Sequence, residues 1–162
     1  FFVGTFGRRI YEVPLNFRSG DGEELPVFET DGWVWGAPKI YDGVLYTADL
    51  NGNIYAVDIT DGFNELWRVN PGVGGFRASP LVTDDFIIVA SRDGIVLWLQ
   101  RETGAEFTRQ DVRNEVLADL LILPGDAEAD REPLVIVSTV NNSRVMVAFT
   151  LDGAPRWTYP SS

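Results

Sequence analysis

Histidine and cysteine are absent from the 162 residues, and lysine occurs only once, at Lys39. The chain therefore cannot supply the usual proton shuttle near neutral pH, a thiolate nucleophile or a zinc site of the common ligand types. These absences exclude most enzyme templates. The absence of cysteine leaves the redox compartment open. No apolar run is long enough to span a membrane as a helix, so we expect no direct membrane insertion by this segment.

Basic residues are also scarce, since 13 of them face 24 acidic residues and the formal net charge is -11. Binding to nucleic acid or to an anionic membrane relies on basic surfaces, so neither is expected as a partner. Hydrophobic residues make up 45% of the chain and aromatic residues 12%. This content is sufficient for a packed core, and disorder is not expected.

The apolar residues occur in short runs that are rich in Val, Ile and aromatic residues and are separated by turn pairs. This pattern predicts an all-β fold with tight hairpins. Helical periodicity is weak throughout, and a short helix competes with strand only over 114–123. The runs are 44–46, 86–90, 95–99, 134–137 and 145–149, and the turn pairs are Asp42-Gly43, Asn51-Gly52, Asp61-Gly62, Asp93-Gly94 and Asp152-Gly153.

The runs repeat with a regular spacing along the chain. Tyr11 and Tyr55 are 44 positions apart, and Tyr55 and Leu97 are 42 positions apart. A period of this length with four strands per unit is typical of a β-propeller, whose four-stranded antiparallel blades bury their faces against one another. We predict about four blades, at 1–32 (incomplete), 33–70, 71–112 and 113–162, in a single propeller segment.

The chain begins with an apolar strand pattern, Phe1-Phe2-Val3-Gly4, that aligns with 45–48. In this alignment it is the second strand of a blade. Propellers close with about four to eight blades. We expect the chain to form part of a larger ring of seven or eight blades. The remainder of that ring, or another protein chain, would cover the exposed faces of the outermost blades. The alternatives are that the four blades close as the smallest ring or that they pair with another arc of blades.

The segment 56–62, Ala-Val-Asp-Ile-Thr-Asp-Gly, followed by Trp67, resembles the tryptophan-docking signature of the PQQ-like propeller repeat. That family includes quinoprotein alcohol dehydrogenases and a cofactor-free lipoprotein of the outer-membrane β-barrel assembly machinery. The resemblance implies that Trp67 docks between adjacent blades and hydrogen-bonds to the next repeat. It also assigns the blade corner to Asp58 and Gly62.

The third and fourth repeats match this signature less closely. The resemblance places Phe107 at the docking position of the third repeat, without an indole donor, and Trp157 at that of the fourth. In the fourth repeat Thr150 replaces the corner Asp, and the corner is one residue shorter.

The resemblance leaves two function classes open. The first is a non-enzymatic, extracytoplasmic scaffold that binds other proteins, as an accessory or assembly subunit of a membrane-associated complex tethered through a part not present here. Its location would be the periplasm or the cell surface. The second is a segment of a PQQ-dependent quinoprotein oxidoreductase. Members of that class in many cases hold a vicinal disulfide, which this chain cannot form. We favour the scaffold, with no catalytic residue, cofactor or metal.

Several further features have two interpretations each. Trp33 and Trp35 point to one side and either pack between blades or stack on a ligand. The acidic stretch with Asp126, Glu128 and Asp130 lengthens a hairpin and is either a solvated loop or an interaction site. The same two alternatives apply to Arg8-Arg9.

The segment 49–53 resembles a calcium loop but lacks its glycine and glutamate positions, so a hairpin turn is favoured. Asn141-Asn142-Ser143 formally matches a glycosylation acceptor.

Overall fold

The fold is described from a computed structural model, which covers residues 1–18, 24–140 and 144–160. Fifteen strands and no helix are found in these ranges, and hence no helix that could cross a membrane. The strands are β1 (Phe2–Gly4), β2 (Arg9–Glu12), β3 (Val27–Glu29), β4 (Lys39–Tyr41), β5 (Val44–Ala48), β6 (Ile54–Asp58), β7 (Asn64–Val69), β8 (Leu81–Val82), β9 (Phe86–Ala90), β10 (Ile95–Gln100), β11 (Glu106–Asp111), β12 (Leu121–Leu123), β13 (Leu134–Ser138), β14 (Met146–Thr150) and β15 (Pro155–Tyr159).

The strands form four antiparallel sheets in chain order. The first sheet contains β1-β2-β3, and the other three are four-stranded, with orders β4-β5-β6-β7, β8-β9-β10-β11 and β12-β13-β14-β15. Short turns join most neighbouring strands, and the connections between β2 and β3 and between β12 and β13 are longer. Gly52 and Gly94 adopt φ of 88° in the equivalent hairpins of the second and third sheets. A side chain is disfavoured at such φ, which explains the recurring turn pairs. The predicted all-β propeller segment of about four blades is confirmed.

The sheets stack face to face, and alternate residues of one strand contact opposite neighbours. In β9, Ile87 and Val89 pack against the second sheet, whereas Ile88 and Ala90 pack against the fourth. All four side chains are buried. Burial on both faces accounts for the continuous apolar runs, because a strand with one solvated face would alternate with polar residues.

The first sheet begins at the second-strand position of the other sheets, as predicted. Val3 pairs with Tyr11 in the way that Thr47 pairs with Tyr55, 44 positions later. The competing helix at 114–123 is not formed. Val116 and Leu120 instead bury their side chains between the third and fourth sheets, and 121–123 forms β12.

Each sheet has two kinds of end. One end carries the hairpins between the second and third strands together with the segments that lead to the next sheet; we call it the connector end. It includes residues 5–8, 30–38, 49–53 and 70–80. The opposite end, the corner end, carries the turns between the third and fourth strands, including 59–63, 101–105 and 151–154.

Candidate functional site

Three exposed aromatic rings form a cluster at the connector end. Phe6 lies between Trp33 and Trp35, with ring centroids 5.7 Å and 5.2 Å from those of the two indoles. Trp33 is 54% exposed and Trp35 is 52% exposed. The two tryptophans lie in the segment between β3 and β4, outside any strand. Of their two interpretations, packing between blades does not match this exposure, and the rings present an open aromatic surface.

Backbone hydrogen bonds hold this segment in place. The Val34 N–H donates to the Thr5 carbonyl oxygen (3.2 Å), and the Leu50 N–H donates to the Trp33 carbonyl oxygen (2.9 Å). The Val34 side chain is buried with Ile10 between the first two sheets. A buried residue between two tryptophans turns both indoles outward, because successive side chains of an extended segment point to opposite sides.

Arg77 extends the aromatic cluster with a positive charge. Its guanidinium carbon lies 4.9 Å from the centre of the Trp35 ring, a cation–π contact. Its Nε is buried and has no hydrogen-bond partner among the described residues. We call Phe6, Trp33, Trp35 and Arg77 the aromatic platform. A guanidinium held beside exposed rings can stack on an aromatic group and bind a carboxylate at the same place.

The segment 49–53 beside this platform is a hydrogen-bonded hairpin. The buried Asp49 carboxylate accepts hydrogen bonds from the backbone of Gly32 (2.8 Å), Asn51 (2.9 Å) and Asn53 (2.9 Å), and from the Tyr55 hydroxyl (2.8 Å). These donors occupy the oxygens that a calcium ion would need. No group of acidic side chains in the described ranges is arranged to hold a metal ion.

Trp67 contacts the corner of the third sheet. Its Nε1–H donates to the Arg101 carbonyl oxygen (3.1 Å), and only 9% of the residue is exposed. A Cβ atom added at Gly104 would lie 2.7 Å from Cε3 of the indole. The corner of the third sheet therefore fits against Trp67 only without a side chain at this position.

Asp58 and Gly62 lie at the corner of the second sheet. The Asp58 carboxylate accepts hydrogen bonds from the hydroxyl (2.6 Å) and the backbone N–H (2.8 Å) of Thr60. These two bonds hold the pKa of Asp58 below its usual value. Gly62 has φ of 81°, and no atom of the described residues lies within 4 Å of the position its Cβ would take. This glycine therefore permits the turn and does not contact a tryptophan.

The structure corrects the alignment of Phe107 with Trp67. Trp67 pairs with Ala56, whereas the equivalent pair in the third sheet is Trp98 with Thr108. Phe107 precedes this pair at a β-bulge, is more than half exposed and packs on Phe86 of its own sheet at 4.9 Å. The second sheet has a bulge at the same place, where Leu66 corresponds to Phe107. The corner of the third sheet is one residue shorter, since Leu99 pairs with Glu106 whereas Val57 pairs with Glu65, and this difference in length displaced the alignment.

The indole of the third sheet comes from the adjacent strand. Trp98 lies opposite Thr108 on β10, fully buried, and its Nε1 has no hydrogen-bond partner among the described residues. A Cβ atom added at the corner glycine of the fourth sheet, Gly153, would lie 3.0 Å from the Trp98 ring. Trp98 thus meets the next corner as Trp67 does, from a different strand.

Trp157 pairs with Ala148, as Trp67 pairs with Ala56, but 41% of the residue is exposed. Beside it, the β12–β13 connection runs from 124 to 133 and contains Asp126, Glu128 and Asp130. The Asp126 carboxylate pairs with Arg131 (2.6 Å) and accepts the Glu128 N–H (3.1 Å). The Arg131 bond lowers the pKa of Asp126. Glu128 and Asp130 point to solvent.

Two further sequence features are less informative. Arg8 and Arg9 lie in and after the β1–β2 hairpin, and Arg9 pairs with Glu29 at 3.0 Å across two strands. Such an exposed pair stabilises the sheet only weakly. The formal glycosylation match at 141–143 lies outside the described residues.

The family model described as "Outer membrane protein assembly factor BamB" matches residues 50–162, more than half of the chain. The chain belongs to this family. A search of curated proteins finds no match. The predicted PQQ-like propeller relationship is thus confirmed.

Solved structures of BamB and of alcohol and methanol dehydrogenases share the fold of this chain. BamB from Moraxella catarrhalis has a TM-score of 0.72 at 22% identity, over 97% of this chain and 44% of that one. Quinohemoprotein alcohol dehydrogenase from Comamonas testosteroni has a TM-score of 0.64 at 17% identity, over 79% of this chain and 21% of that one. A europium-containing methanol dehydrogenase has a TM-score of 0.64 at 18% identity, over 81% of this chain and 26% of that one. This chain therefore spans less than half of each structure.

Sequence reasoning missed two members of the aromatic platform. Phe6 is an exposed aromatic residue in a hairpin, where polar residues are the norm. Arg77 follows Trp35 by 42 positions, one repeat period. Comparing equivalent positions of consecutive repeats would have placed Arg77 beside the tryptophans, because connector segments of neighbouring blades lie side by side.

Proposed function

We propose that this chain is part of a non-enzymatic, extracytoplasmic propeller scaffold that binds a protein partner through the aromatic platform. The observation that supports this proposal is the group of three exposed rings with a stacked guanidinium at one end of the rigid sheets. Trp and Arg are enriched among residues that dominate binding energy at protein interfaces. Aromatic clusters of this kind on a surface are typical of interaction sites.

The platform favours a particular kind of partner surface. Apolar rings offer contact area, and the Arg77 guanidinium offers a site for a carboxylate. The partner segment should therefore present an apolar or aromatic side chain next to Asp, Glu or a chain terminus. The platform belongs to segments fixed by the sheet stack, so binding costs little ordering entropy.

The location is part of the same proposal. Both kinds of structural relative, BamB and the alcohol dehydrogenases, share this fold, and the matching family model is named for an outer-membrane assembly factor. We place the chain outside the cytoplasm and in a membrane-associated complex, with other protein chains as partners. The alternative, a segment of a quinoprotein oxidoreductase, rests on the fold relationship alone.

A site-specific photocrosslinking experiment tests the proposal. A benzophenone amino acid replaces Trp33 in the chain, which is exported to the periplasm of a Gram-negative host. We expect a discrete protein adduct after irradiation. The matched control carries the same probe at Phe107, which is equally exposed but lies near the corner end. Adding Arg77→Ala should weaken partner binding by about 30-fold, as expected for a central interface residue.

Two results would contradict this proposal. Equal adducts from both probe positions would show that the aromatic platform is not the binding surface. Binding of pyrroloquinoline quinone with calcium, followed by reduction of an artificial electron acceptor on addition of alcohol, would establish the oxidoreductase alternative.

A further inference from the structure

Two arginines at the connector end occupy backbone positions that glycine fills in other repeats. The first, Arg8, lies in the β1–β2 hairpin, and strand pairing aligns it with Gly52 and Gly94 of the next two sheets. Both glycines adopt φ of 88°, and Arg8 adopts φ of 58°. All three residues are therefore in the left-handed region, which glycine enters without the steric cost that a side chain brings.

The second, Arg113, repeats this arrangement after the last strand of the third sheet. Its N–H donates to the Asp111 carboxylate at 2.6 Å, and in the second sheet the Gly72 N–H donates to the Asn70 side chain at 3.0 Å. The two turns are equivalent, with φ of 61° at Arg113 and 71° at Gly72. An arginine again lies where the neighbouring repeat has glycine.

Neither arginine gains contacts that offset this cost. Both side chains are exposed, and neither forms a hydrogen bond or an ion pair with another described residue. The arginines that do pair with a carboxylate are Arg9, Arg68, Arg92, Arg109, Arg131 and Arg156. Backbone strain at a side chain without contacts in its own chain is typical of a residue that acts on another molecule.

The acidic side chains of the connector end, in contrast, are held by groups of the chain itself. Asp93 and Asp119 accept backbone N–H groups at 2.9 Å and 2.6 Å, and Glu115 pairs with Arg92 at 3.4 Å. The platform residue Arg77 also lacks a carboxylate partner among the described residues. Positive charge without a partner is therefore concentrated at this end of a chain whose net charge is -11.

The corner end has the opposite charge. Asp61 and Glu102 lie in the corners of the second and third sheets, are exposed, and have no cationic partner in the part of the chain that the structure describes. An acidic partner is repelled at the corner end and attracted at the connector end. This distribution of charge favours one orientation of such a partner.

We propose that Arg8 and Arg113 are specificity-determining residues that bind carboxylates on an acidic segment of the partner protein. This inference rests on the proposed function, because the same segment contacts the aromatic platform. Arginine suits this role, since its guanidinium binds carboxylates through two parallel hydrogen bonds. A segment that runs from the first sheet to the end of the third crosses about 20 Å, since stacked sheets lie about 10 Å apart. About six or seven extended residues cover this distance.

A binding titration with a designed probe tests the inference. The probe is a fluorescein-labelled peptide, Glu-Glu-Glu-Trp-Glu-Glu-Glu, and fluorescence anisotropy measures its affinity for the full chain at low salt. Arg8→Gly and Arg113→Gly should each weaken binding about fivefold, as expected for the loss of one exposed ion pair. The double variant should weaken binding about 25-fold, and about 0.2 M salt should remove most of the difference.

The urea midpoint separates this binding role from a structural one. Both glycine variants should raise it, because glycine adopts the left-handed backbone without strain. The matched control is Arg131→Gln, which removes the same charge from an exposed, paired arginine in the β12–β13 connection, away from the connector end. This control should bind the peptide as tightly as the parent does. A second peptide, with Gln in place of every Glu, should bind the parent at least about tenfold more weakly.

Several outcomes would overturn the inference. These are unchanged affinity in both glycine variants, equal binding of the two peptides, and no binding of the glutamate peptide. A lower urea midpoint in the glycine variants would show that the arginines stabilise the fold instead. Tighter binding to phosphatidylglycerol vesicles than to the peptide would reject a protein segment as the ligand. The photocrosslinked adduct from position 33 is measured separately, so the proposed function can stand where this inference fails.

Discussion

Replacing Trp67 by Ala tests whether the seam between the second and third sheets depends on one indole. The ring is almost fully buried and touches the corner glycine of the next sheet. Truncating a large buried aromatic residue costs about 3 to 5 kcal/mol, because apolar contact is lost and a cavity remains. The hydrogen bond from Nε1 to the Arg101 carbonyl oxygen contributes about 1 kcal/mol of this. We expect a loss of about 4 kcal/mol in the free energy of unfolding.

Trp67→Phe separates the two contributions. The phenyl ring keeps much of the contact with the neighbouring sheet but cannot donate to the Arg101 carbonyl oxygen. Its expected cost is about 1 to 2 kcal/mol. Leu66→Ala is the matched control, since Leu66 precedes Trp67 on the same strand and is more than half exposed. It should change stability by less than about 0.5 kcal/mol.

A double-mutant cycle with Gly104 tests the contact directly. Gly104→Ala introduces strain at φ of 70° and places Cβ against the Trp67 ring. In the Trp67→Ala background the clash with the ring is removed, and the backbone strain and the contact of the new Cβ atom with Val69 at 3.1 Å remain. The second substitution should therefore cost about 1 to 2 kcal/mol less there.

Urea unfolding followed by far-UV circular dichroism gives these free energies without relying on tryptophan fluorescence. Additivity of the two substitutions within about 0.5 kcal/mol would show that the ring and the corner do not interact. A cost below about 1 kcal/mol for Trp67→Ala would refute the docking role itself.

Two further predictions concern buried polar groups and pH. Asp49→Asn should cost about 3 kcal/mol in urea unfolding, since an amide cannot accept all the donors that surround this carboxylate, whereas the exposed Asp61→Asn should cost less than about 0.5 kcal/mol. With no histidine, the urea midpoint should stay flat from about pH 5 to 9. Below about pH 4 it should fall, because the folded state lowers the pKa of Asp58 and the unfolded chain then binds more protons. Above about pH 10 it should also fall, because burial raises the pKa of Tyr55 in the folded state, and Tyr55→Phe should weaken that alkaline loss.

The sequence predicts the repeat and the sheet stack well, because both depend on patterns that each repeat carries locally. Apolar runs and turn pairs set the strands, and burial on both faces follows from the missing alternation of polar residues. The outer strand of the third sheet is where the sequence fails. Phe107 and Thr108 differ by one position, and strand pairing places Thr108, not Phe107, opposite Trp98. The three four-stranded sheets share a bulge at this place but differ in the length of the corner before it, so the distance from the corner glycine does not fix which residue lies opposite the inner strand.

The aromatic platform shows a second limit of the same kind. Trp33 and Trp35 stand out in the sequence, but their exposure depends on Val34, whose side chain is anchored between two sheets. Arg77 becomes relevant only when the third repeat is stacked beside the second. A site assembled from different repeats is visible in the sequence only after the repeat register is known.

The buried tryptophan of the third sheet lies on β10, whereas the second and fourth sheets carry their tryptophan on the last strand. This difference indicates what the interfaces between neighbouring sheets have in common. In the second and fourth sheets a small residue, Ala56 or Ala148, lies opposite a tryptophan on the last strand. In the third sheet the tryptophan is on the inner strand, and Thr108 is the smaller partner. Each pair combines one indole with one small side chain, so the packed volume stays similar while the strand that supplies the ring changes. The hydrogen bond of Trp67 has no counterpart at Trp98, whose Nε1 is unpaired among the described residues. Filling the space beside the corner glycine is therefore the shared requirement of these two seams, and the indole hydrogen bond is an addition where the last strand provides the ring.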